Sequence, residues 1–104
     1  MGFKEEPTGY IKTVVSELQG SWGNLRDTVL EHFGFPDSDR LMFHVHEGMS
    51  WESVRNLEKM KEEITLIKNI ANQTTVHEDI SFWISDVHDT YQRTLRAIQE
   101  GEAE

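Results

Sequence analysis

The stretch LMFHVHEGMSW, Leu41 to Trp51, decides how many helices the chain has and whether any strand interrupts them. Read as a strand, Leu41, Phe43 and Val45 share one face and Met42, His44 and His46 the other. A single strand needs a partner, and no other segment alternates in that way. Read as a helix, Asp37 or Ser38 caps the start, Leu41, Met42 and Val45 form an apolar edge, and Gly48 ends it. A short helix across 38–47 needs nothing beyond the chain itself and is the expected form.

The two readings carry different chemistry. On a strand, His44 and His46 point the same way and offer a metal two ligands, with the adjacent Glu47 as the candidate for a further one. On a helix, residues two apart diverge by about 200°. The metal- or small-ligand-binding reading on His44, His46 and Glu47 therefore belongs to the strand. The helix makes these histidines core-edge or surface residues, so no metal and no cofactor is expected.

Long helices flank this segment. Upstream, Ile11, Val15, Leu18, Trp22, Leu25 and Val29 recur in steps of three and four, joined by Val14, Leu30, His32 and Phe33. The stripe crosses Gly20 and Gly23 without losing phase, which predicts one helix from about Pro7 to Phe33, at a cost of about 1 kcal/mol per glycine. Downstream, Ser50 is a suitable N-cap and Glu52 lies in the first turn, followed by Val54, Leu57, Met60, Ile64, Ile67 and Ala71. Leu66 and Ile70 lie off that stripe and predict a second contact, either with other helices of the bundle or with a second copy of the chain. NQTT then breaks the pattern. A last helix starts near Thr75 or His77, with Ile80, Ile84, Val87, Tyr91, Leu95 and Ile98 on its core face. The expected fold is all-α: an antiparallel bundle of three long helices with a short fourth at 38–47, one domain over 1–104, frayed at 1–6 and 100–104.

The formal net charge is −9, and residues 77–104 hold seven acids against two arginines. Such a field repels nucleic-acid phosphate and favours a basic protein surface. Cysteine is absent, which removes disulfides, thiolate ligands and thiol nucleophiles. No apolar run approaches the ~18 residues of a membrane span and the first residues lack a secretory core, so a cytoplasmic location is expected. No phosphate loop, nucleophile elbow or zinc signature is present. The magnesium pattern EExxE on one helix with ExxD on the next starts at Glu62-Glu63 but fails, since Leu66 and Trp83 stand where acids are required. The expected function is thus non-enzymatic: an inhibitor, immunity-type protein or regulatory adaptor. Its partner surface is placed on Glu78, Asp79, Asp86 and Asp89, with Phe82 as apolar anchor. From its place in the first turn Phe82 is expected to fold over the preceding loop, and it serves as the anchor only where it is exposed instead. Leu66 and Ile70 are the contact if the chain is instead a homodimer.

Overall fold

The computed structural model describes the backbone of residues 5–100 and the side chains of 17–100. The expected fraying at 1–4 and 101–104, and the side chains of Ile11, Val14 and Val15, lie outside these. Among the described residues, four helices make up the fold: α1 (Glu5–Glu31), α2 (Ser38–Ser53), α3 (Leu57–Gln73) and α4 (Glu78–Gln99).

α1 runs unbroken through both glycines. Leu18, Trp22, Leu25 and Val29 are buried, and a side chain of this size contributes about 1.5–3 kcal/mol on burial. Four of them outweigh two glycine penalties of about 1 kcal/mol each. α1 stops where Gly34 takes a left-handed φ of 112°, and the Gly34 N–H donates to Ser38 Oγ at 3.2 Å.

The largest departure from expectation lies in α2. It does not end at Gly48, nor does a helix begin at Ser50; α2 continues through both to Ser53. Gly48 is a point of close approach rather than a stop. A Cβ there would lie 2.6 Å from Cζ2 and Cζ3 of the buried Trp22 ring. The helix ends instead with Arg55 in the left-handed region at φ 59°. The Arg55 N–H donates to Glu52 O (3.0 Å) and the Asn56 N–H to Trp51 O (2.9 Å), the paired bonds of a Schellman termination. Asn56 then caps α3, its side chain accepting from the Lys59 N–H at 3.1 Å. Val54, expected in the core stripe of the next helix, falls in this turn and is exposed. At 16 residues α2 nearly matches the 17 of α3, so the chain is not three long helices plus a short one.

Cross-links between the helices set their directions. Glu17 meets Arg93, Ser21 meets Asp86 and Thr90, and His32 lies beside Asp79, so α1 and α4 run antiparallel. His44 on α2 meets Glu63 on α3, and the Tyr91 hydroxyl on α4 reaches Leu57 O at the start of α3. Neighbouring helices pack in the order α1–α2–α3–α4 and back to α1, and among the described residues the backbones of diagonal helices do not approach within 8 Å, Cα to Cα. The core comprises the α1 stripe, Leu41 and Val45 of α2, Met60, Ile64, Ile67 and Ile70 of α3, and Ile80, Ile84, Val87 and Tyr91 of α4. No helix is long and apolar enough to cross a membrane among the described residues.

Candidate functional site

α4 begins at His77, whose Nδ1 accepts the Asp79 N–H at 3.0 Å, while Glu78 and Asp79 place negative charge in the electropositive first turn. At about 100° per residue, Glu78, Phe82 and Asp89 fall within about 40° of one another on the helix, opposite its core face. All three are exposed, Phe82 at 60%, with its ring edge-on to Trp83 at 4.9 Å. Phe82 therefore does not fold away over the preceding loop.

The other two acids of the expected surface turn toward α1. Asp79 Oδ2 lies 3.8 Å from His32 Nε2 and 3.6 Å from His77 Nδ1. Asp86 is half-buried and accepts from the Ser21 hydroxyl at 2.7 Å. Ser21 also lies 3.1 Å from the Thr90 hydroxyl, and Arg93 donates both to Thr90 Oγ1 (3.2 Å) and to Glu17 (3.0 Å). Asp86 is thus part of the α1–α4 seam, and only Glu78, Phe82 and Asp89 of the five face solvent without a contact to α1. Further along the same arc stands Arg96, so the acidic character belongs to the first half of α4.

The residues of the metal reading at 44–47 are not brought together. α2 is helical there, so His44 and His46 diverge. His44 Nδ1 lies 2.7 Å from Glu63 Oε1 in a half-buried pair, while His46 is exposed. Glu47 is half-buried. Leu66 is 40% exposed, but Ile70 belongs to the chain's own core, which leaves the expected seam with one residue of the two.

A small recess lies between Leu18, Glu52, Arg55, Leu57, Met60 and Thr94, where α2 ends and α3 begins. Glu52 is only 6% exposed. Burial raises its carboxyl above the ordinary value, and the Arg55 guanidinium offsets part of that rise. The folded chain then holds the Glu52 proton more tightly than the unfolded chain does. The resulting destabilisation is absent below the ordinary carboxylate value, grows as pH rises toward the raised one, and is complete above it. Glu52→Gln is accordingly expected to be more stable than the parent at neutral pH, with the difference shrinking as pH falls toward the carboxylate range. Urea melts at the two pH values read this directly. A Gln variant less stable at neutral pH would mean that an ionic partner outweighs burial.

One grouping was missed from sequence. Ligand atoms of His32, at the end of α1, and of His77 and Asp79, at the start of α4, all lie within 4.8 Å of one another. His77 and Asp79 are near neighbours in the sequence, but His32 joins them only because α1 and α4 are antiparallel neighbours. That topology was the available signal.

Comparison with protein-family models, with curated proteins and with solved structures returned no match to this chain.

Proposed function

We propose that the chain is a non-enzymatic interaction module, an inhibitor or regulatory adaptor that meets a basic protein surface through the outer face of α4. The observation that carries this reading is Phe82, 60% exposed between the exposed acids Glu78 and Asp89. A lone exposed aromatic is ordinary. An aromatic set in a field of one sign, on the more acidic end of a chain of net charge −9, has the composition of an anchor with a steering rim. The contact comprises Glu78, Phe82 and Asp89, with Asp79 at its edge. Asp86 is left out because it holds Ser21. The homodimer reading is weakened by the burial of Ile70.

Capture of partners from the lysate of the native host, at low and moderate salt, tests this. Phe82→Ser and Asp89→Lys change exposed positions, where stability moves by roughly 0.5 kcal/mol or less. A basic protein should be retained at low salt and released as salt screens the acids. Phe82→Ser should weaken it roughly 30-fold, the loss of an anchor contributing about 2 kcal/mol, and Asp89→Lys should slow association. A partner that binds both variants like the parent, or no partner at either salt, would sink the reading.

A further inference from the structure

We propose that His32, His77 and Asp79 form a site for a divalent transition-metal ion of the zinc class, which ties the end of α1 to the start of α4. The first support is the donor set. Two imidazoles and one carboxylate suit zinc and its neighbours rather than magnesium or calcium, which prefer oxygen throughout. The second is spacing. Two atoms bound to one tetrahedral ion at ~2.0–2.1 Å lie roughly 3.4 Å apart. His32 Nε2 stands 3.8 Å from Asp79 Oδ2, and His77 Nδ1 stands 3.6 Å from the same oxygen. Contraction by a few tenths of an ångström brings either pair to coordination distance.

The third is His32 Nε2 itself. The atom is enclosed and has no hydrogen-bond partner among the described residues. Its distance to Asp79 is beyond hydrogen-bond reach. A buried polar nitrogen left without a partner is uncommon and calls for a reason. In its metal-binding form this nitrogen presents a lone pair toward a carboxylate, an arrangement that a cation between the two would relieve.

One adjustment is required. The His32 and His77 rings are stacked, with centroids 4.0 Å apart and planes 15° from parallel. An ion shared by both must lie in the plane of each ring, so the stack has to splay. His77 is the exposed partner and the one with room to turn. If it binds through Nδ1, it releases the bond that caps the Asp79 N–H. That loss is small beside a metal–nitrogen bond. The remaining coordination positions would be taken by water, because the cluster opens to solvent at His77 and Asp79. Bound in this way, the ion would pin residues 32 and 77 together and close one end of the bundle. The site meets the docking face only at Asp79, which leans to α1 at its edge, and uses none of Glu78, Phe82 or Asp89.

The test is calorimetric titration of the full chain with zinc chloride in a non-coordinating buffer, with thermal melts alongside. One zinc per chain should bind saturably and raise Tm, on the order of 10 °C at a hundred-fold excess over the dissociation constant. His32→Gln and Asp79→Asn each remove one ligand and keep the backbone cap of α4. Each should weaken binding at least roughly ten-fold, since even changes outside the coordination shell reach that size. His46→Ala, which removes an exposed histidine elsewhere, should change nothing. Absence of saturable binding, binding by either ligand variant as tight as the parent's, or loss with His46→Ala would each overturn the proposal.

Discussion

Gly48→Ala is expected to destabilise the chain by about 2 kcal/mol, although alanine is the better helix former. Two effects oppose one another. In a helix interior, alanine gains about 1 kcal/mol over glycine. The new methyl would sit 2.6 Å from two carbons of the Trp22 ring, closer than van der Waals contact allows. Trp22 is almost wholly buried, so the ring has no solvent to swing into, and α1 and α2 must separate instead. Overpacking of this kind costs about 1–3 kcal/mol and occasionally more, and here it wins. Thermal melts should show a fall in Tm of roughly 10 °C. Gly20→Ala and Gly23→Ala are the controls. Nothing lies within 4 Å of either added methyl, so each should gain up to about 1 kcal/mol. The effect of Gly48→Ala should also vanish, or change sign, in a Trp22→Leu background. If it persists there, the loss does not come from the α1–α2 contact.

The same glycine explains what was legible in the sequence and what was not. Continuity of α1 was legible because its apolar phase is carried by residues on both sides of Gly20 and Gly23, and those glycines face away from the core. Gly48 faces the other way. As a local signal it reads as a helix end, and Ser50 two residues on reads as the next cap. Both signals are overruled by a contact with a residue 26 positions earlier. The true boundary falls at Arg55, a residue type with no preference for the left-handed conformation it adopts, followed by Asn56, an ordinary cap. Val54 reinforced the misreading, since its spacing to Leu57 continues a helical stripe while its side chain is in fact exposed. At the candidate surface, the period alone put Glu78, Phe82 and Asp89 on one face. It could not tell that Asp86 at its edge is engaged, because Ser21 is 65 residues away in sequence. The His32 cluster is a product of topology in the same sense. Periodicity fixes the face of one helix at a time, and pairs across helices need the order in which the faces meet.

Thr90→Val is expected to cost about 2 kcal/mol, and the reason lies in the direction of the hydrogens between α1 and α4. Arg93 can only donate, and the Asp86 carboxylate can only accept. Ser21 has one hydroxyl proton and gives it to Asp86, so the 3.1 Å contact between Ser21 and Thr90 must be donated by Thr90. Thr90 in turn accepts from Arg93. The chain from Arg93 through Thr90 and Ser21 to Asp86 therefore runs one way, with each hydroxyl used as both donor and acceptor. Valine matches the shape of threonine but leaves Ser21 without its donor at a site 2% exposed at Thr90, and an unsatisfied buried group costs about 1–3 kcal/mol. Arg93 loses less, because it keeps Glu17 and water. Ser21→Ala alone should cost a similar amount, since it strands the Thr90 proton and takes the donor from Asp86. Together the two changes remove both inner hydroxyls, and half-buried Asp86 can turn to solvent. The double variant should therefore lose less than the sum of the singles, by about 1 kcal/mol in a double-mutant cycle read by urea melts. Strict additivity would mean that the two hydroxyls act separately and that no directed chain joins the helices. The same logic governs charge reversal on α4. Asp89→Lys should be nearly silent in stability, whereas Asp86→Lys would set an ammonium, which has no lone pair to offer, against the Ser21 proton. A fall in stability confined to Asp86→Lys would separate the seam of the fold from the surface left free for a partner.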